Sequence, residues 1–130
     1  MRFTVVFVIL LLGLISCNEP EKPKNAEETL RAFQLAINVL DIGTAQKLAV
    51  ESTKKQLQLL AVDMKMSSAE AVAAKKKTLF TEIKTVKCSG DTAKKLCTLC
   101  CGIDNKEKNA ILIQQNGSWL VEMDFEMADK

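Results

Sequence analysis

Apolar and polar positions follow three different patterns along the chain. Residues 3–15 are apolar apart from Thr4 and Gly13, residues 25–80 repeat apolar positions every three or four residues, and residues 81–127 tend to alternate. The second pattern predicts amphipathic helices and the third predicts half-buried strands. Because the helices come first and the strands follow without helices between them, the sequence predicts an α+β domain with an antiparallel sheet.

The helical part carries its own start signals. Polar residues followed three positions later by Glu or Gln are typical of helix N-termini, and they occur at Asn25 with Glu28, Thr53 with Gln56, and Ser67 with Glu70. Thr44 is a further candidate cap, placed directly after Asp41-Ile42-Gly43. We therefore predict three or four helices. The first has a face made of Ala26, Leu30, Phe33, Ile37 and Leu40.

Four segments of the later part are predicted strands, at residues 80–88, 92–101, 110–115 and 119–125. Asn116-Gly117, between the last two, is the strongest short hairpin signal in the chain. A tight turn at Gly90-Asp91 would place Cys88 opposite Ala93, several residues from Cys97. On the final strand one face is predicted to be buried and the other to be wet. The buried face is Trp119, Val121, Met123 and Phe125.

Composition removes several classes of function. The chain of 130 residues has 18 basic and 16 acidic residues, a formal net charge of +2, which gives no electrostatic reason to expect a nucleic-acid partner. It contains no histidine, the commonest general base and metal ligand, and no tyrosine. We predict no catalytic residue, no cofactor and no metal site.

The apolar run at the amino terminus predicts export. It is well short of the ~20 residues that a transmembrane helix needs, and Ser16 supplies the small residue expected before a signal-peptidase cut. Residues 14–17, Leu-Ile-Ser-Cys, resemble the lipobox of bacterial lipoproteins, which implies acylation of Cys17. Residues 1–16 are then the signal peptide, residues 17–24 the lipidated cysteine and a flexible tether, and residues 25–130 a single domain.

This assignment predicts a protein held on the lipid bilayer of the bacterial cell envelope through acylated Cys17. Each buried methylene contributes ~0.8 kcal/mol, so two or three acyl chains attach it firmly. Position 18 is Asn rather than the Asp associated with retention in the inner membrane, which favours the outer membrane.

Four stretches of the domain carry a resemblance to a known family: residues 32–36, 41–49, 90–93 and 116–121. Together with the order of elements, they resemble a group of bacterial lipoproteins of unassigned function that carry a nuclear transport factor 2-like (cystatin-like) domain. The resemblance implies a curved, cone-like sheet wrapped around helices, with a cavity. Enzymes of that superfamily place Asp with His or Tyr in the cavity, so no activity is implied here.

Four cysteines remain after Cys17, and three interpretations stay open for them. They could be core thiols, form at least one disulfide outside the cytoplasm, or take part in redox or metal chemistry through the spacing of Cys97 and Cys100. The last is weakened because residues three apart on a strand point to opposite faces. The cysteines are Cys88, Cys97, Cys100 and Cys101.

Two functions follow as hypotheses. The first is a non-catalytic module that holds a small hydrophobic ligand, or that binds a protein partner or a second copy through its sheet. The alternative is an enzyme of unfamiliar design, in which carboxylates act with the Cys97 thiol in a cavity; the candidates are Asp91, Asp104 and Asp124. The two hypotheses differ in where these groups lie, since catalytic carboxylates need a cavity and a perturbed pKa.

Overall fold

A computed structural model describes residues 22–100 and 107–125. Within these ranges the chain forms four helices followed by a four-stranded antiparallel sheet, which confirms the predicted α+β class. The helices are α1 Ala26–Asn38, α2 Ile42–Lys47, α3 Glu51–Met66 and α4 Ala69–Leu79. The strands pair in chain order and are β1 Thr85–Gly90, β2 Lys94–Cys100, β3 Lys108–Gln115 and β4 Ser118–Glu122.

Helix α1 lies across the sheet and supplies the centre of the core. Its start is the predicted one, since the Asn25 side chain accepts a hydrogen bond from the Glu28 amide at 2.8 Å. Four members of the predicted face are buried, but the fifth, Leu40, lies after the end of the helix and is half-buried. Each fully buried aliphatic or aromatic side chain contributes about 1.5–3 kcal/mol. The core residues that are completely inaccessible include Leu30 and Phe33 of α1, Leu57 of α3, and Leu99, Leu112 and Val121 of the sheet.

The other helix starts differ from the predictions. Asp41, not Thr44, caps α2, because its carboxylate accepts both the Thr44 amide (3.2 Å) and the Thr44 hydroxyl (2.7 Å). The carboxylate of Asp41 has several acceptor sites and can satisfy two donors at once, which a hydroxyl cannot do equally well.

Helix α4 is capped by Ser68, one residue after the predicted Ser67.

The prediction that Thr53 caps a helix is wrong. Helix α3 begins at Glu51 after Val50, which makes no side-chain cap, and Thr53 is a buried residue of the first turns. Its hydroxyl donates to the Met123 carbonyl at 3.2 Å and accepts from the Met123 amide at 3.1 Å. Gln56 continues this contact by accepting from the Phe125 amide at 2.8 Å.

The segment between α2 and α3 closes the outer edge of β4. The Val50 amide donates to the Val121 carbonyl at 3.0 Å, and the Val121 amide donates to the Leu48 carbonyl at 2.7 Å. Ala49 and Val121 form an isolated parallel bridge. Since an unpaired edge invites association with other strands, this pairing protects β4.

The first hairpin also departs from expectation. Its first strand begins at Thr85 rather than at residue 80, and its register pairs Gly90 with Lys95 and Cys88 with Cys97. The predicted two-residue turn is wrong because Asp91 stabilises a longer one, accepting from the amides of Ala93 (2.8 Å) and Lys94 (2.9 Å).

A buried polar cluster joins α1 to the segment before β1. The Asn38 side chain accepts from the Thr81 amide at 2.9 Å and donates to the Thr81 carbonyl at 2.8 Å. Gln34 donates to Asn38 at 2.8 Å and to the Leu79 carbonyl at 3.2 Å. Three of these bonds are buried and the one to the Leu79 carbonyl is partly buried, so the cluster fixes where the chain leaves α4.

Candidate binding surface

The sheet has an inner face under the helices and an outer face away from them. Side chains alternate along each strand, so Cys97 and Leu99 of β2 point inward and are completely buried, whereas Leu96 points outward and is 55% exposed. The same alternation, with the pairing register, places every second side chain of β3 and β4 on the outer face. Four aliphatic side chains thus share the outer face, and we call them the outer-face patch: Leu96, Ile111, Ile113 and Leu120.

The members of the outer-face patch are direct neighbours. Leu96 pairs with Ile111 across β2 and β3, and Ile113 pairs with Leu120 across β3 and β4. Opposite residues in antiparallel strands have Cβ atoms ~4.5–5.5 Å apart, so the side chains form one contiguous apolar area. On the final strand, the face predicted to be wet carries Glu122, which is half-buried, and Leu120; Asp124, predicted on the same face, is exposed just after the strand ends.

Charged residues flank the patch on two sides with opposite signs. Lys94 of β2 is the neighbour of Ile113, and Glu122 of β4 is the neighbour of Ile111. Lys87 lies further out on β1, at an exposed position of the same face. The outer face is thus basic beside β2, apolar along β3 and acidic beside β4.

Two of the candidate cysteines form a disulfide within the first hairpin. Cys88 and Cys97 are directly opposite in β1 and β2, with Cα atoms 4.1 Å apart, and they are bonded to each other. Of the three interpretations, the disulfide applies to this pair, and the expected register that kept them apart is corrected by the longer turn. Because Cys97 is bonded to Cys88 and lies inside the core, it offers no free thiol for chemistry.

The remaining cysteines do not make a metal centre with the described residues. Cys100 is also disulfide-bonded, and Cys101, like Cys17, lies outside the described residues. Among residues 22–100 and 107–125, no group of three or more potential His, Cys, Asp or Glu ligands comes together. Cys97 and Cys100 lie on opposite faces of β2, as the strand geometry predicts.

The carboxylates of the enzyme hypothesis have structural partners. Asp91 is exposed in the first turn, where hydrogen bonds from the Ala93 and Lys94 amides hold its pKa below the ordinary value. Asp124 is exposed after β4, and its side chain accepts a hydrogen bond from Nε2 of the Gln56 side chain at 3.1 Å. Asp104 lies outside the described residues. Neither described carboxylate shares a buried position with Cys97.

Two further features were not predicted from the sequence. The first is a surface groove of about 470 Å³ between α2 and α3. The second is Lys108 of β3, whose ammonium donates a hydrogen bond to the Leu79 carbonyl at 3.0 Å and has its pKa lowered by burial. Neither brings a nucleophile and a base together. The groove is lined by Gly43, Gln46, Lys47, Glu51, Lys54, Lys55 and Gln58.

Comparisons of the chain with family models, with curated proteins and with solved structures found no match. The resemblance to nuclear transport factor 2-like lipoproteins therefore stays a prediction. None of the helices in the part of the chain that the structure describes is both long and apolar enough to cross a bilayer.

Proposed function

We propose that this protein is a lipid-anchored lipoprotein of the bacterial cell envelope, on the outer membrane, whose domain is a non-catalytic ligand- or protein-binding module. The anchor is Cys17, and the proposal for it rests on the apolar run and the lipobox-like residues 14–17. Residues 22–24 precede α1 without helix or strand, which is compatible with a tether that ends at the Asn25 cap.

The observation that supports a binding role is the outer-face patch. Four aliphatic side chains are direct neighbours on the sheet face that is turned away from the helices. Leu96 is 55% exposed, and the other three are half-buried. Contiguous exposed apolar areas with a polar rim are typical of interaction sites. The described groups of the enzyme hypothesis are engaged elsewhere: Cys97 is in a disulfide, Asp91 is in a turn and Asp124 contacts α3.

The anchor is tested by growing bacteria that express the full chain with labelled palmitate. We expect label on the protein and its retention in the membrane after washing at high pH. Cys17→Ser should abolish both, whereas Asn18→Ser, a neighbouring substitution of similar size, should retain the label. A wild-type protein that is unlabelled and released by the wash would refute the anchor.

A further inference from the structure

The outer face has a pattern that is complementary to itself. Its rows run across the sheet, and one row contains Lys94, Ile113 and Leu120 while the next contains Leu96, Ile111 and Glu122. The positive charge is on β2 and the negative charge is on β4, with β3 between them.

Two copies related by a two-fold axis that runs along β3, parallel to the strands, would bring the oppositely charged sides of the two faces together. This axis would place β2 of one copy over β4 of a second copy, with Ile111 and Ile113 of both copies at the centre. Stacked sheets lie ~10 Å apart with strand directions within about 30° of each other. Lys94 would then extend over Leu120 of the second copy toward Glu122, about 7 Å further along the strand, and the symmetry makes this contact twice.

We propose that the outer face is a homodimer interface, so that the partner of the binding module is a second copy of this chain. This inference rests on the proposed binding function and names its partner. The charges favour a second copy over an unrelated protein because the two-fold brings the basic side of each face over the acidic side of the other.

The size of the face indicates how strong this dimer is. The two-fold covers three strands of each copy, β2 to β4. At ~4.8 Å between strands and about seven residues of ~3.3 Å each, the contact is roughly 300 Å² of sheet per copy. Stable interfaces bury ≈800 Å² per partner, so this contact is weak between free molecules. Attachment to one membrane would raise the local concentration of copies and favour the dimer without any new contact.

The test uses the full chain in its own membrane, with a photoreactive phenylalanine derivative replacing Leu96 in two differently tagged versions. The matched control carries the same group at Leu59, on the surface of α3, which is 58% exposed where Leu96 is 55% exposed. We expect light to produce a cross-linked species containing both tags from position 96 and none from position 59.

Charge substitutions identify the partner. Lys94→Glu alone and Glu122→Lys alone should each lower the yield of the doubly tagged species by roughly fivefold to tenfold. The double variant should restore it, because the ion pairs reform with exchanged signs. Lys94 is exposed, and urea unfolding followed by the fluorescence of Trp119 reports whether each variant has folded.

Four results would overturn the dimer. A cross-link from position 96 to a different protein would leave the binding function standing and refute the second copy as its partner. A cross-link within the same chain would show that the chain itself covers the face. Equal doubly tagged yields from positions 96 and 59 would mean chance contact, and no adduct from either position would count against both proposals.

Discussion

Replacing Thr53 with Val should destabilise the protein although the two side chains have nearly the same shape. The Thr53 side chain is 1% exposed, and its hydroxyl makes two hydrogen bonds to the backbone of Met123, at 3.1 and 3.2 Å. Each neutral hydrogen bond contributes about 1 kcal/mol net, and leaving a backbone amide without its partner adds to the cost. We therefore expect the free energy of unfolding to fall by about 2–3 kcal/mol.

The matched control is Thr78→Val. Thr78 is exposed on α4 and makes one hydrogen bond, from its hydroxyl to the Ala74 carbonyl at 3.1 Å. The same chemical change there should alter stability by no more than ~0.5 kcal/mol. Urea unfolding followed by the fluorescence of Trp119, the one tryptophan of the chain, measures both variants. If Thr53→Val and Thr78→Val shift the midpoint equally, the contact between α3 and the end of β4 does not hold the fold together as argued.

Two other predictions concern the first hairpin. Replacing Cys88 and Cys97 together with Ala should lower the free energy of unfolding by about 2.5 kcal/mol, the loop-closure value for a sequence separation of 9, and an unchanged urea midpoint would contradict this. The pKa of folded Asp91 lies below the ordinary 3.8, so the stabilisation from its ionised form is complete above that value and is lost as the pH falls through the lowered pKa. In Asp91→Asn, the free energy of unfolding should fall less steeply as the pH is lowered through this acidic range. An identical dependence on pH in wild type and variant would refute the stabilising role of the Asp91 carboxylate in the turn.

Local signals in the sequence determined the element types and their order. The spacing of Leu30, Phe33 and Ile37 defines one helical face, and Asn25 supplies a cap that needs no residue far away in the chain. The hairpin at Asn116-Gly117 was likewise predictable, since both residues adopt the positive φ that such turns require. These features depend on neighbours within four residues, so the sequence contains all the information that they need.

Local sequence signals could not determine the pairing register of β1 and β2. Gly90-Asp91 marks a turn, but its length depends on how Asp91 meets the amides of Ala93 and Lys94. A longer turn moves every cross-strand pair, and only the true register brings Cys88 to Cys97. The cysteines could therefore be counted from the sequence but not paired.

The roles of residues that contact distant parts of the chain follow from the tertiary structure alone. Thr53 looks like a cap in the sequence because hydroxyl residues favour helix starts, yet its partner, Met123, is 70 residues away. The outer-face patch is a similar case, since Leu96, Ile111 and Leu120 come from three strands and meet only when the sheet forms. Alternation within one strand tells which residues share a face, but the neighbours across strands, and hence any binding surface, follow from register and packing.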